Sequence, residues 1–197
     1  MRQASTPATR QACFGAQDAL DARGREAAAA LKGRLPEARE ALASPCLSAF
    51  QTASLAGFAP VRTDPALADA DYGAWSGRPL TAIERDDPDG LAAWLTDADA
   101  APHGGEPLRA LLARVATWLD DDARGNAPVV AVVPAVIVKA AVVHALEAPP
   151  VAVRRLKIDP ASVTELHGGP GRWTVARLNQ AMDPAVAARP APRRTPS

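Results

Sequence analysis

PVVAVVPAVIVKAAVVHAL, residues Pro128 to Leu146, is the stretch whose reading decides the fold. It is nearly long enough to span a bilayer, but Pro134, Lys139 and His144 interrupt it, and no aromatic or basic flanks mark the interfaces. It therefore divides into a buried β-strand, Val129 to Val133, a turn marked by Pro134, and a buried helix from Ala135 to Leu146. A continuous apolar strand that runs into an apolar helix belongs to a parallel sheet covered on both faces.

Working outward, the same alternation recurs. Upstream, Gly105 to Leu119 carries a helical stripe of Leu108, Leu111, Leu112, Val115, Trp118 and Leu119, whose plain meaning is core packing. Glu40 to Ala43 reads as a short strand that enters Ser44-Pro45, after which CLSAFQTASLAG has helical spacing and closes at Gly57. Asp18 to Leu35 is dense in helix formers, with Gly33 and Pro36 as stop signals. Between Phe58 and Pro102 the Asp, Gly and Pro density rises around DYGAWSG, which predicts an insertion or lid-like excursion with a short helix near Pro88 to Leu95. Downstream of Pro149-Pro150, strand-like stretches fall at Val153 to Ile158, Ser162 to His167 and Trp173 to Leu178. The last two flank a Gly168-Gly169-Pro170-Gly171 turn and predict a hairpin. From Gln180 the chain is Ala, Pro and Arg without periodicity. The expectation is one α/β domain over residues 1–179, followed by a disordered tail over 180–197. The domain is a three-layer sandwich with a mostly parallel central sheet flanked by helices. Its ligand site would lie at the carboxyl ends of the strands, at Ser44-Pro45 and at Pro134.

Composition narrows the function. Twenty-two basic and twenty-two acidic residues in 197 give a formal net charge of zero, which argues against a nucleic-acid or anionic-membrane footprint. A small molecule or a protein is the expected partner, and the chain is compatible with a homodimer. Cys13 and Cys46 form no CxxC pair, and no charged-then-apolar leader opens the sequence, so a reduced, cytoplasmic protein is expected. The cysteines do not form a metal ligand set, and no cofactor is implied.

Three segments carry a resemblance. ASPCLSAFQTA at Ala43 to Ala53 resembles a Ser-Pro-x-x-Arg-Ala-x-Gln-Thr-Ala segment, and DYGAWSGRPL at Asp71 to Leu80 resembles an Asp-Tyr-Gly-x-Trp-x-Gly segment. PHGGEPLRALLARV at Pro102 to Val115 resembles a Gly-Gly-Glu helix start. In this order and spacing they resemble the histidine phosphatase superfamily, the phosphoglycerate-mutase-like group, from Arg2 to about Asn179. The resemblance implies a phosphate pocket in which an Arg-His-Gly segment supplies an arginine and a nucleophilic histidine. A second arginine comes from the Ser-Pro helix, a Glu acts as general acid, and a second histidine follows the buried strand. Guanidinium forks match phosphate oxygens, and the acid protonates the leaving oxygen.

The carry-over is partial. Arg2 matches the first arginine, Thr6 the threonine that ends its segment, and Glu106 the acid. Gln3 stands at the nucleophile, Ala4 at the small residue after it, Ser48 at the second arginine and Pro134 at the second histidine. A carboxamide nitrogen has its lone pair delocalised and is not a nucleophile. Losing even one stabilising donor costs about 10²- to 10³-fold in comparable sites, so ordinary phosphatase turnover is not expected. Of the histidines, His103 is read as structural or at the pocket rim, His144 as a satisfied core residue and His167 as surface. The tryptophans Trp75, Trp94, Trp118 and Trp173 are read as packing residues. The resembling proteins place a hydrophobic strand before the Arg-His-Gly segment, whereas here Met1 directly precedes Arg2. The expectation is that this central strand is absent from the chain and that the true start lies upstream.

The reading carried forward is a non-catalytic relative that binds a small anionic molecule or a protein partner. Its expected ligand-binding residues are Arg2, Gln3, Thr6, Arg10, Ser48 and Lys139. A first alternative is an enzyme repurposed to non-phosphoryl acid–base chemistry, with Glu106 as acid or base, Gln3 as donor and His103 assisting. Further alternatives are a weak residual phosphomonoesterase that works by direct water attack and a decaying reading frame without function.

Overall fold

A computed structural model describes residues 1–35, 38–121 and 128–182. Its centre is a parallel sheet built from β1 (Glu40–Ala43), β2 (Val61–Thr63) and β3 (Val129–Val132), in the order β2-β1-β3. The register sets Ala41 beside Val61 and Val130, and Ala43 beside Thr63 and Val132. Beyond β3 the chain's first residues extend the sheet: Gln3 N donates to Val133 O (3.0 Å), Val133 N to Met1 O (3.0 Å) and the Met1 amino group to Ala131 O (2.7 Å). On the other edge of this segment, Arg2 N donates to Ser162 O (3.0 Å) and Ala161 N to Gln3 O (3.3 Å). Met1 to Gln3 therefore occupy the lane of the expected central strand, as a stub rather than a full strand. Past it lies an antiparallel hairpin, β4 (Val163–His167) with β5 (Thr174–Gln180), joined at the expected glycine turn.

Helices cover both faces because side chains alternate along each strand. Leu42 and Val133 point to one side, where α6 (Leu108–Leu119) and α7 (Ala135–Ala145) supply Leu111, Val115, Ile137, Val138 and Val143. Ala43 and Val132 point to the other, against α3 (Leu47–Leu55), on which α2 (Ala22–Ala30) packs in turn. That second layer is lined by Ala49, Ala53 and Ala28, whose lack of bulk lets α3 lie close to the sheet. The excursion after β2 holds α4 (Leu80–Asp86) and α5 (Pro88–Thr96) and closes on its own cluster. There Trp75, Ile83 and Leu91 are buried with Phe14, Tyr72 and Trp94 packed on them. Phe14 meets Trp94 edge-on, with ring centroids 5.4 Å apart.

The structure corrects several expectations. Val153 to Ile158 is not a strand: residues Pro150–Arg155 form a 3-10 helix. Pro149 and Pro150 fix φ and remove two ladder donors, and the Pro149 carbonyl accepts from Ala152 N at 2.8 Å. The apolar character of Val153 and Ile158 was a true burial signal with the wrong period. The first long helix starts later and ends earlier than Asp18 to Leu35, because Asp21 caps it and Gly24 N donates to that cap (2.6 Å). A short helix α1 (Pro7–Gln11), strand β2 and helix α4 were not anticipated. β5 runs through Gln180, one residue into the expected tail, and the rest of that tail beyond Met182 lies outside the described residues. Pro36 does so as well. Among the described residues no helix is long and apolar enough to cross a membrane.

α2 is locked to the N-terminal segment through Asp21, which accepts from Ser5 Oγ (3.0 Å) and Arg10 Nη1 (2.7 Å), while Asp21 N donates to Ser5 O (3.2 Å). A Cβ at Gly24 would stand 2.1 Å from Ser5 O. Alanine normally stabilises a helix interior over glycine by about 1 kcal/mol. Here Gly24→Ala is expected to do the reverse and destabilise by about 2–3 kcal/mol, read as a lowered Tm. Gly169→Ala, where nothing lies within 4 Å of the new Cβ, is expected to leave Tm unchanged.

Candidate functional site

Three chain segments leave the sheet at its carboxyl edge and meet: Gln3-Ala4 after the stub, Ser44-Pro45-Cys46 after β1, and Pro134 after β3. Ser44 N donates to Val132 O (2.9 Å), which draws the second segment against β3. The Cys46 thiol donates to Gln3 Oε1 (3.2 Å) and lies 3.6 Å from Ser48 Oγ. Ala4 N donates to Thr52 Oγ1 (3.0 Å), whose hydroxyl donates to Ser48 O (2.7 Å). Gln3 and Ser48 are thus neighbours, joined through Cys46. Ser48 is 1% exposed and small, so no cation projects from this side. Pro134 is buried and begins α7, with Ile137 N donating to its carbonyl at 3.2 Å. It contributes no side-chain donor.

Other expected ligand residues are placed differently. Thr6 Oγ1 caps α1, accepting from Thr9 N (3.2 Å), and so is engaged in local structure. Arg10 lies exposed on α1 and pairs with Asp21. Its partner carboxylate is held below the usual range, first by the Gly24 amide and also by Ser5 and the two arginines, Arg10 and Arg25.

The cationic side of the site is formed by Arg2, Lys139 and Arg154. Arg2 Nη1 donates to Ile158 O, and the charge feels the carboxylates of Asp159 and Asp69 while burial lowers its basicity. Lys139, in the second turn of α7, is also lowered, by burial first and then by repulsion from Arg2 and Arg154. Among the described residues Lys139 makes no ion pair. Arg154 donates to Trp94 O, and its guanidinium lies 3.9 Å from the centroid of the Trp94 ring. Its Nε is buried without a partner among the described residues.

Glu106 and His103 are both occupied. Arg114 grips Glu106 with a bidentate pair, Nε to Oε1 at 3.1 Å and Nη2 to Oε2 at 2.8 Å. The same guanidinium donates to Ala66 O (2.7 Å) and Ala68 O (3.1 Å), which ties the acid to the excursion. His103 is buried rather than at a rim: Nδ1 accepts from Gly105 N (3.0 Å), and the ring packs against Trp75 and Tyr72 at centroid distances of 5.2 and 6.0 Å. Burial lowers its pKa. The motif glycines explain the neighbourhood. A Cβ at Gly73 would stand 2.1 Å from His103 O, and one at Gly105 would stand 2.1 Å from Asp71 O. The two segments cross backbone to backbone, with Ala74 N on His103 O (2.9 Å) and Glu106 N on Asp71 O (2.7 Å). His144 bonds Asp120 (2.9 Å) and His167 bonds Glu165 (2.6 Å), both away from this site.

Beside Cys46 opens a cavity of about 240 Å³ lined by Gln17, Ser44, Cys46, Asp69, Asp71 and Ser76, among others. Burial pushes the Asp69 carboxyl up to about 6, against the pull of Ala70 N, Arg114 and Arg2. Asp69, Arg114 and Arg154 escaped the sequence reading. Asp69 sits in an unremarkable LADADYG run, Arg154 in an apparent strand and Arg114 on the polar side of a packing helix. The pairing of Glu106 with Arg114 has no signal in the spacing either, because Glu106 precedes the helix that carries Arg114.

Known proteins share this fold. The chain superposes on a mycobacterial glucosyl-3-phosphoglycerate phosphatase solved with VO3 at TM-score 0.77 and 28% identity, covering 90% of this chain and 96% of that one. A protein described as mycobacterial hydrolase 1 gives TM-score 0.79 at 27% identity, covering 91% and 96%. An alpha-ribazole phosphatase from Shigella flexneri gives TM-score 0.81 at 22% identity, covering 92% and 95%. No curated protein matches. The profile of the histidine phosphatase superfamily, branch 1, matches residues 1–181, and the chain belongs to that family.

Proposed function

We propose that this chain has lost the phosphohistidine route, through Gln3 and Pro134, and serves as a non-catalytic member that holds a small anionic molecule or an acidic group of a partner. The observation that carries the reading is Lys139, a half-buried ammonium within the field of two guanidinium groups and without an ion pair among the described residues. Arg2 and Arg154 both lower the basicity of Lys139, and burial lowers that of all three cations, so a shared anion relieves them; a phosphate offers enough oxygens to meet Arg2, Lys139 and Arg154 together. The phosphatases among the solved relatives make a phosphate-bearing ligand the natural choice. The arrangement of Glu106 weakens the reading in which it acts as a free acid or base, since both its oxygens accept from Arg114.

Inorganic phosphate is the direct probe. At tenfold its Kd it adds about 1.4 kcal/mol, which raises Tm by roughly 3–6 °C, while chloride at equal ionic strength does not. Lys139→Met is expected to raise the ligand-free Tm by a few degrees, about 1 kcal/mol, and to abolish the phosphate-induced shift. An unchanged shift in that variant would remove Lys139 from the site.

Hydrolysis gives a second check. With p-nitrophenyl phosphate at high protein concentration, release is expected to match the buffer blank, and Gln3→His alone is expected to leave it there. Turnover in the parent chain that disappears in Glu106→Ala would restore the phosphatase reading.

Asp69 supplies a pH test. Its folded pKa, about 6, lies above the ordinary 3.8, so its ionisation works against the fold. The neutral form is fully compatible below about pH 4, and the cost grows as pH rises towards the folded value and is complete above it. Asp69→Asn is therefore expected to match the parent Tm near pH 4 and to exceed it from pH 7 upward, by about 1–2 kcal/mol. Parallel melting curves at both pH values would show that Asp69 is not desolvated.

A further inference from the structure

The cavity beside Gln3 has the opposite charge from the cationic group next to it. Its wall carries Asp69 and Asp71 and neither lysine nor arginine. Asp69 is ion-paired with none of them: one of its oxygens accepts from Ala70 N (2.9 Å), and the other has no partner among the described residues. Ser44, 1% exposed, lines the same cavity, and its Oγ is buried with no hydrogen-bond partner among the described residues. A buried hydroxyl left unpaired is costly, and a ligand donor placed in the cavity removes that cost. Arg2 lies within the electrostatic reach of Asp69 and of Lys139, so the acidic cavity and the cationic group adjoin.

We propose that the site takes a zwitterionic small molecule of the aminoalkyl phosphate class. Its ammonium lies against Asp69, with Ser44 and Asp71 as further acceptors, and its phosphate meets Arg2 and Lys139. The inference rests on the anion-site reading above and adds the second pole. A desolvated carboxylate that gains an ammonium partner recovers the charge interaction that water would have provided. A phosphate ligand without the ammonium keeps its contacts with Arg2 and Lys139 but binds less tightly, because Asp69 and Asp71 oppose its charge.

Calorimetry at pH 8 with O-phosphoethanolamine and propyl phosphate tests this, because both are dianionic phosphates and they differ in an ammonium against a methyl group. The amino compound is expected to bind at least tenfold more tightly. Asp69→Asn should bring the ratio to about one by weakening the amino compound and strengthening the propyl one. Asp71→Asn, at an exposed position, should lower the ratio about threefold and guards against a folding failure at Asp69. Equal or weaker binding of the amino compound, with propyl phosphate still bound, overturns the ammonium pocket and leaves the anion site standing. Absence of binding by both overturns the two readings together. A tenfold preference that survives in both variants places the ammonium elsewhere and overturns the assignment to Asp69.

Discussion

The two-sided backbone pairing of Met1 to Gln3 is the constraint on which the rest of this molecule depends. One edge of the segment bonds Val133 and Ala131, and the other bonds Ser162 and Ala161. Through it the parallel sheet and the β4–β5 hairpin become one structure, and Arg2 and Gln3 arrive at the junction of the Ser44 and Pro134 turns. Every one of these contacts is made by main-chain atoms, the Met1 amino group among them. The backbone therefore delivers position 3 to the junction whatever its side chain is, and here that side chain is a carboxamide.

Around that junction the charges have been redistributed rather than erased. Ser48 brings no guanidinium, but Lys139 and Arg154 reach the neighbourhood from α7 and from the 3-10 helix after it. Glu106 is neutralised by Arg114, and Asp69 stands desolvated at the mouth of an acidic cavity. Binding and turnover make different demands on such a set. Holding an anion needs positive charge within a few ångströms, whereas transferring a phosphoryl group needs a nucleophile aligned with it. Lysine and arginine supply positive charge here, and the side chain at position 3 is a carboxamide, which is not a nucleophile.

Much of the fold was legible because it rests on local patterns. The apolar run from Val129 to Val133 reads as a strand and forms one, with Val132 and Val133 buried and Val129 to Ala131 half-buried, and Gly57 closed its helix as glycine does. Of the candidate site, the sequence offers the positions that coincide with a motif, Arg2, Gln3, Ser48, Pro134 and Glu106, and the structure brings the Gln3, Ser48 and Pro134 segments together. The site was illegible where side chains converge from distant segments. Arg154 lay in a stretch whose valines suggested a period of two, and the twin prolines before it imposed a turn instead. The desolvation of Asp69 is a property of what surrounds it, and nothing in its own run of small and acidic residues encodes that. Thr6 and Arg10 show the converse: their residue types suit a phosphate, yet one caps a helix and the other meets Asp21.

The crossing at Gly73 and Gly105 bears on how such chains are recognised. Both glycines are required because each lies against the other segment's carbonyl, and the contact serves the excursion's attachment to α6 whether or not any reaction follows. A profile that rewards the Asp-Tyr-Gly and Gly-Gly-Glu signatures is scoring a clasp. A match to such a profile therefore reports the clasp and the fold it holds, and the chemistry has to be read separately from the residues at the sheet's carboxyl edge, position 3 among them.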